Sequence, residues 1–166
     1  MSPQAHSTIL KFAPIFGMIL MRKSILGFLA TILTFANVSA DEPPKIDVYK
    51  SPTCSCCAKW ADHLREAGFS VATHNEGNMS AIKKKFGVPV TKTSCHTAVV
   101  GDYIIEGHVP AEDILELLNQ KPPVAGLTVP GMPLGSPGME AAQVQPYVVY
   151  TFDKDGNTEP FAEHNQ

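Results

Sequence analysis

The chain has 166 residues and a formal net charge of −3, but that charge is unevenly placed. All 16 acidic residues follow Ala40, whereas three of the 13 basic ones, Lys11, Arg22 and Lys23, precede it. Residues 41–166 are therefore markedly acidic, which disfavours phosphate backbones, so no nucleic-acid partner is expected, while cations are not repelled.

From Met21 the chain reads as a secretory signal: a short basic start, an apolar run from Ile25 to Ala36 and the small-residue site Val38-Ser39-Ala40. Cleavage is expected after Ala40. The apolar run is shorter than the ~20 residues of a spanning helix, so no stable membrane insertion is expected once the signal is removed. Met21-Arg22-Lys23 resembles a natural start, and residues 1–20 are left out of the fold reading. The expected organisation is an extension plus signal over 1–40, a linker over 41–45, a folded domain over 46–120, and a Met/Pro/Gly loop with a C-terminal hairpin over 121–166. Such a chain is long enough for one hydrophobic core.

Ile46-Asp47-Val48-Tyr49 alternates as a strand does before the Ser-Pro-Thr turn. Cys57 to Ala67 carries Trp60, Ala61 and Leu64 at helical spacing and stops at Gly68. Phe69 to Thr73 alternates again, and a second helix is expected over Ser80–Phe86, ending at Gly87. His96–Val100 and Tyr103–Glu106 read as a hairpin around Gly101-Asp102, and Pro110 opens a helix over Ala111–Asn119. The sum is an α/β domain of order βαβαββα. A thioredoxin-like arrangement has that order, although the periodicity alone also permits other small α/β sandwiches. Residues 122–140 hold so much Pro and Gly that no regular element is expected there, and Tyr147–Phe152 with the turn Asp153–Gly156 predicts a terminal hairpin.

Cys54-Ser55-Cys56-Cys57 places three thiols where the first strand turns into a helix. Unpaired N–H groups and the macrodipole at a helix N-terminus favour the thiolate, the form that attacks disulfides and binds soft metals. A structural disulfide is one reading, since an exported protein meets an oxidising compartment. A thiol-disulfide oxidoreductase using Cys54 and Cys57 is another, but Cys56 would divert its exchange into mixed pairings. Three sulfurs suit a metal better. Cys95-His96 falls at the start of the third strand, where thioredoxin-like proteins carry a cis-proline facing the cysteines. His108 follows the fourth strand to the same pole, ~10 Å from the first strand. His63 and His74 read as solvated surface residues. Met132 and Met139 lie in the Pro/Gly loop, away from any amphipathic face, and their thioethers suit Cu(I). The loop's extended reach of roughly 60 Å allows it to return to the cysteines.

Ser51-Pro52-Thr53-Cys54-Ser55-Cys56-Cys57-Ala58-Lys59-Trp60, Gly87-Val88-Pro89, Ser94-Cys95-His96-Thr97-Ala98, Glu106-Gly107-His108-Val109-Pro110-Ala111 and the run Val129–Glu140 resemble the CopG-type family of periplasmic proteins associated with bacterial copper resistance. The resemblance covers about Ile46 to Glu140. It implies a thioredoxin-like domain binding copper, as a multinuclear and redox-capable Cu(I) cluster; from donor chemistry alone, zinc accepts the same Cys and His ligands and is the alternative metal. By motif, Cys54, Cys56, Cys57 and Cys95 would supply thiolates, His96 and His108 imidazoles, and Met132 and Met139 would close the site. A periplasmic copper-handling or electron-transfer protein is the implied partner. The departures are Ser55, where the family more often has glycine, and the C-terminal hairpin.

Overall fold

The computed structural model describes residues 42–166. The expected signal segment and its cleavage site lie outside the described residues. The chain runs β1 (Lys45–Lys50), α1 (Ser55–Glu66), β2 (Ser70–Asn75), α2 (Met79–Lys85), a 3-10 turn (Val90–Lys92), β3 (Thr97–Val100), β4 (Tyr103–Glu106), α3 (Ala111–Gln120), β5 (Gly126–Thr128), β6 (Tyr147–Phe152) and β7 (Thr158–His164). The succession βαβαββα is present, with boundaries within two residues of those the periodicity predicts. No helix among the described residues is long and apolar enough to cross a membrane.

The strands form one sheet in the order β2-β1-β3-β4-β5-β6-β7. β1 is parallel to β2 and β4 to β5, each pair joined through a helix, as a parallel connection requires. The remaining neighbours are antiparallel.

Register fixes which side chains share a face. Val48, Ala98, Ile105 and Leu127 stand opposite one another across β1, β3, β4 and β5. All four are fully buried, and they form the core with Trp60 and Leu64 of α1 and Ile114 and Leu117 of α3. Tyr49, Thr97, Glu106, Thr128 and Tyr150 make the adjacent row on the other face, where Tyr49 meets Phe86 at the end of α2. That row is polar, and part of it lies beside the candidate site.

β5 corrects the expectation that residues 122–140 hold no regular element. Its pairing is long-range, and Gly126 makes it possible: a methyl there would collide with the Ile104 carbonyl. Local Pro and Gly content gives no sign of such a partner. The hairpin of β6 and β7 turns at Asp153, whose carboxylate accepts the N–H groups of Asp155 and Asn157 at 2.9 Å each. Both strands extend the main sheet.

Candidate metal centre

α1 begins two residues earlier than its apolar spacing predicts, because Cys54 is its N-cap. The Cys54 backbone is extended, and its sulfur accepts the Cys57 N–H at 3.3 Å, satisfying one of the orphan donors of the first turn. The cap brings the sulfurs together. Cys54 and Cys57 are joined as a disulfide with a Cα–Cα distance of 5.4 Å, and Cys56 and Cys95 are free. Cys56 Sγ stands 3.4 Å from Cys54 Sγ. The sulfurs of Cys54, Cys56, Cys57 and Cys95 all lie within 4.8 Å of one another.

Cys95 also belongs to a second group, with His96 and His108, whose ligand atoms again lie within 4.8 Å of one another. Cys95 and His96 directly precede β3, and His108 follows β4 by two residues, so the hairpin folds the three side chains to one end of the sheet. Cys95 Sγ is 2.9 Å from His108 Nε2 and 3.3 Å from His96 Nδ1. His108 Nδ1 donates to the Pro137 carbonyl at 2.8 Å. That bond leaves the Nε2 lone pair facing Cys95. His96 is 0% exposed, packed between the Trp60 ring at 4.3 Å and the edge of His108 at 4.9 Å.

Burial sets the protonation states. It holds His96 well below the usual imidazole range, helped by the repulsion a second proton would meet from a protonated His108 and from Lys83. It also lowers His108, against the opposing hydrogen bond to Pro137. The Cys95 thiol is pushed up to about 12, by burial first and by Cys56 second. Both imidazoles are therefore neutral at pH 7, the form that ligates metals.

The donor chemistry fits a soft or borderline metal, four sulfurs and two imidazoles. Neither group includes a carboxylate among the described residues, unlike the oxygen cages of Ca²⁺ or Mg²⁺. His96 Nε2 is fully buried with no hydrogen-bond partner, so one ring nitrogen is left for a metal to satisfy.

The Pro/Gly loop reaches the centre. Gly138 has φ +81°, and a methyl there would stand 2.6 Å from the Cys56 carbonyl oxygen and 2.9 Å from the Trp60 amide nitrogen. Glu140 holds the turn by accepting the Gly138 N–H at 2.6 Å. Its carboxyl sits below the usual range, chiefly through hydrogen bonds from the Glu140 and Gly138 N–H groups. Met139, next in the chain, is partly buried, whereas Met132 is 52% exposed. Gly138→Ala is expected to undock the loop, since a left-handed alanine costs about 1–2 kcal/mol before any collision. The check is Cys56 alkylation in the reduced protein, which should become several-fold faster; an unchanged rate would show that the loop does not shield it.

His63 is not the solvated residue its helical position suggests. Its Nε2 accepts the Ala111 N–H at 3.1 Å and so caps α3, which Pro110 cannot do. His74 keeps its surface place, 42% exposed and paired with Asp47 at 2.7 Å. Sequence reasoning missed Glu106, buried beside Cys95-His96. The available signal was an acidic residue closing the apolar strand Tyr-Ile-Ile-Glu immediately before Gly107-His108.

Residues 92–139 match a family model described as "Protein of unknown function, DUF411". No curated protein sequence matches the chain. Two solved structures, "Copper resistance protein copG- Form 2" and "Copper resistance protein copG- Form 1", are each 44% identical to it with a TM-score of 0.71, covering 75% of this chain and 100% of theirs. Identity at that level over the whole length of the relatives joins sequence to fold: the chain belongs to the CopG family of copper resistance proteins.

Proposed function

We propose that this protein captures copper and holds it as Cu(I) in a multinuclear centre. Its ligands would come from Cys54, Cys56, Cys57, Cys95, His96 and His108, with Met139 and Met132 supplied by the loop. The observation that carries this reading is the double membership of Cys95, whose sulfur lies in both the all-cysteine group and the Cys/His group. A thiolate placed there can bridge metal ions, and thiolate ligation selects Cu(I) over harder ions. The relatives' association with copper resistance supports copper, although zinc accepts the same donors. Metal analysis of untagged protein from copper-replete cells should find copper, and zinc alone would overturn the assignment. Anomalous scattering at the copper edge would then count and place the ions.

Two further outcomes are expected. Cys56→Ser should lower both copper stoichiometry and affinity, read by competition with a Cu(I) chelator, because Cys56 is a free thiol within 3.4 Å of Cys54. Protein carrying the Cys54–Cys57 disulfide should hold less copper than the reduced protein, since oxidation consumes two of the four thiolates. Equal loading of the two forms would remove these cysteines from the ligand set.

That disulfide favours a second reading, thiol-disulfide exchange. Cys54 is partly exposed at the helix N-terminus and would attack, while Cys57 is buried and would resolve. Reductase turnover by the metal-free protein that survives Cys95→Ser would establish it.

We read residues 46–120 as a thioredoxin-like domain, supported by the parallel β1–β2 pair, the antiparallel β1, β3 and β4 and helices on both faces. Export to the periplasm through a signal cleaved after Ala40 is part of the same proposal. Its test is the mass of the mature protein, which should begin at Asp41. The physiological partner would be a periplasmic copper-handling or electron-transfer protein.

A further inference from the structure

Glu106 is fully buried, and a carboxylate so placed is costly unless it is paired and hydrogen-bonded. Its Oε1 accepts from Lys83 Nζ at 2.6 Å and from the Ser94 N–H at 2.6 Å, and its Oε2 accepts from the Thr97 hydroxyl at 2.7 Å. Ser94 and Thr97 are the two residues that bracket Cys95-His96. One carboxylate thus grips the dipeptide from both ends, and Lys83 reaches over from α2 to hold it, meeting Thr97 Oγ1 at 3.2 Å as well. Gly107, next to Glu106, adds a third hold by donating its N–H to the His96 carbonyl at 3.0 Å. His108 follows directly.

Stability alone gives little reason for this pair, because well-packed apolar residues often replace a buried ion pair at no loss. Its placement gives a better one. The dipeptide sits outside β3, where no ladder fixes its side chains, and Cys95 must stand within reach of both sulfur and imidazole groups.

We propose that the Glu106 grip is the positioning device of the centre: the hydrogen bonds Glu106 accepts from Ser94 and Thr97 hold Cys95 and His96 facing His108 and the cysteine turn, while Lys83 balances the buried charge. This rests on the metal-centre reading above. Outer groups of this kind, when removed, cost metal affinity roughly 10–100-fold.

Three variants separate positioning from stability. Lys83→Met/Glu106→Gln removes both charges but keeps an amide that accepts from Ser94 N–H and donates to Thr97 Oγ1. Lys83→Met/Glu106→Leu removes the grip at similar volume. Thr97→Val releases one arm alone, and serves if the leucine variant fails to fold. Two readouts apply: Cu(I) affinity by chelator competition, and the rate of Cys95 alkylation in reduced, metal-free protein, with Cys56 as the internal reference. The glutamine pair should stay within a few-fold of wild type. The leucine pair should lose roughly 10–100-fold in affinity, with Thr97→Val between them. Cys95 should react several-fold faster in the leucine and valine variants while Cys56 does not. A folded leucine or valine variant with wild-type affinity and wild-type Cys95 reactivity would overturn the proposal, as would a glutamine pair as impaired as the leucine pair. If wild-type protein takes up no copper, the functional reading falls, and the Cys95 rates still decide the positioning role.

Discussion

Cys95→Ser should abolish tight copper binding, with a larger loss than the roughly 100-fold ceiling typical of outer-group substitutions. Cys54, Cys56 and Cys57 each belong to one group of candidate ligands, as do His96 and His108, but Cys95 belongs to both. Serine keeps the size of the side chain and removes the soft donor, so the fold should survive while the link between the two halves is lost. Competition with a Cu(I) chelator gives the affinity, and thermal unfolding of the metal-free variant checks the fold. A loss of less than about tenfold, no more than an outer group costs, would end the shared-sulfur idea.

The same residue fixes the sign of the pH dependence. With the Cys95 thiol pushed up to about 12, Cu(I) bound there as proposed would have to displace a proton at neutral pH. Affinity should therefore rise with pH, by about tenfold per unit for each proton displaced, until the thiol ionises unaided.

Trp60→Ala should have the largest effect on stability, about 3–5 kcal/mol. The side chain is 0% exposed, donates its indole N–H to the Val109 carbonyl at 2.8 Å and covers the His96 ring. Truncation would leave a cavity between α1 and the sheet and orphan that carbonyl. A domain with an ordinary stability of about 5–15 kcal/mol would lose much of it. Urea unfolding of the metal-free protein measures the change, and a loss under about 1 kcal/mol would mean the site collapses without cost. Trp60→Phe should fall between, keeping most of the packing and losing the hydrogen bond.

Features set by neighbours along the chain are legible in the amino-acid sequence alone. The cysteine turn, its place at a helix start and the hairpin that returns His108 towards Cys95 all follow from local alternation and turn residues, and the structure sets Cys95 and His108 2.9 Å apart. What escapes such a reading depends on distant partners. β5 exists because Leu127 fits beside Ile105 and Gly126 clears the Ile104 carbonyl. His63 finds its role 48 positions away at Ala111. Glu106 looks like an ordinary strand-end acid until Lys83 is folded over it. The oxidised Cys54–Cys57 pair is one of several pairings the cysteine spacing permits.

The loop that reaches the centre leaves β5 at Thr128 and re-enters the sheet at Tyr147 in the neighbouring strand β6. Because both ends are already tied into adjacent strands, much of the entropy of closing that loop is settled by the sheet itself. Pro137 and Gly138 thus act as a tethered ligand for His108 and α1, present at an effective concentration that short flexible tethers set in the millimolar range. Dilution of the protein does not change that figure. Were this segment to part from the proposed metal centre, it would reseat as an intramolecular step, whereas one supplied by a separate chain would have to be found again each time.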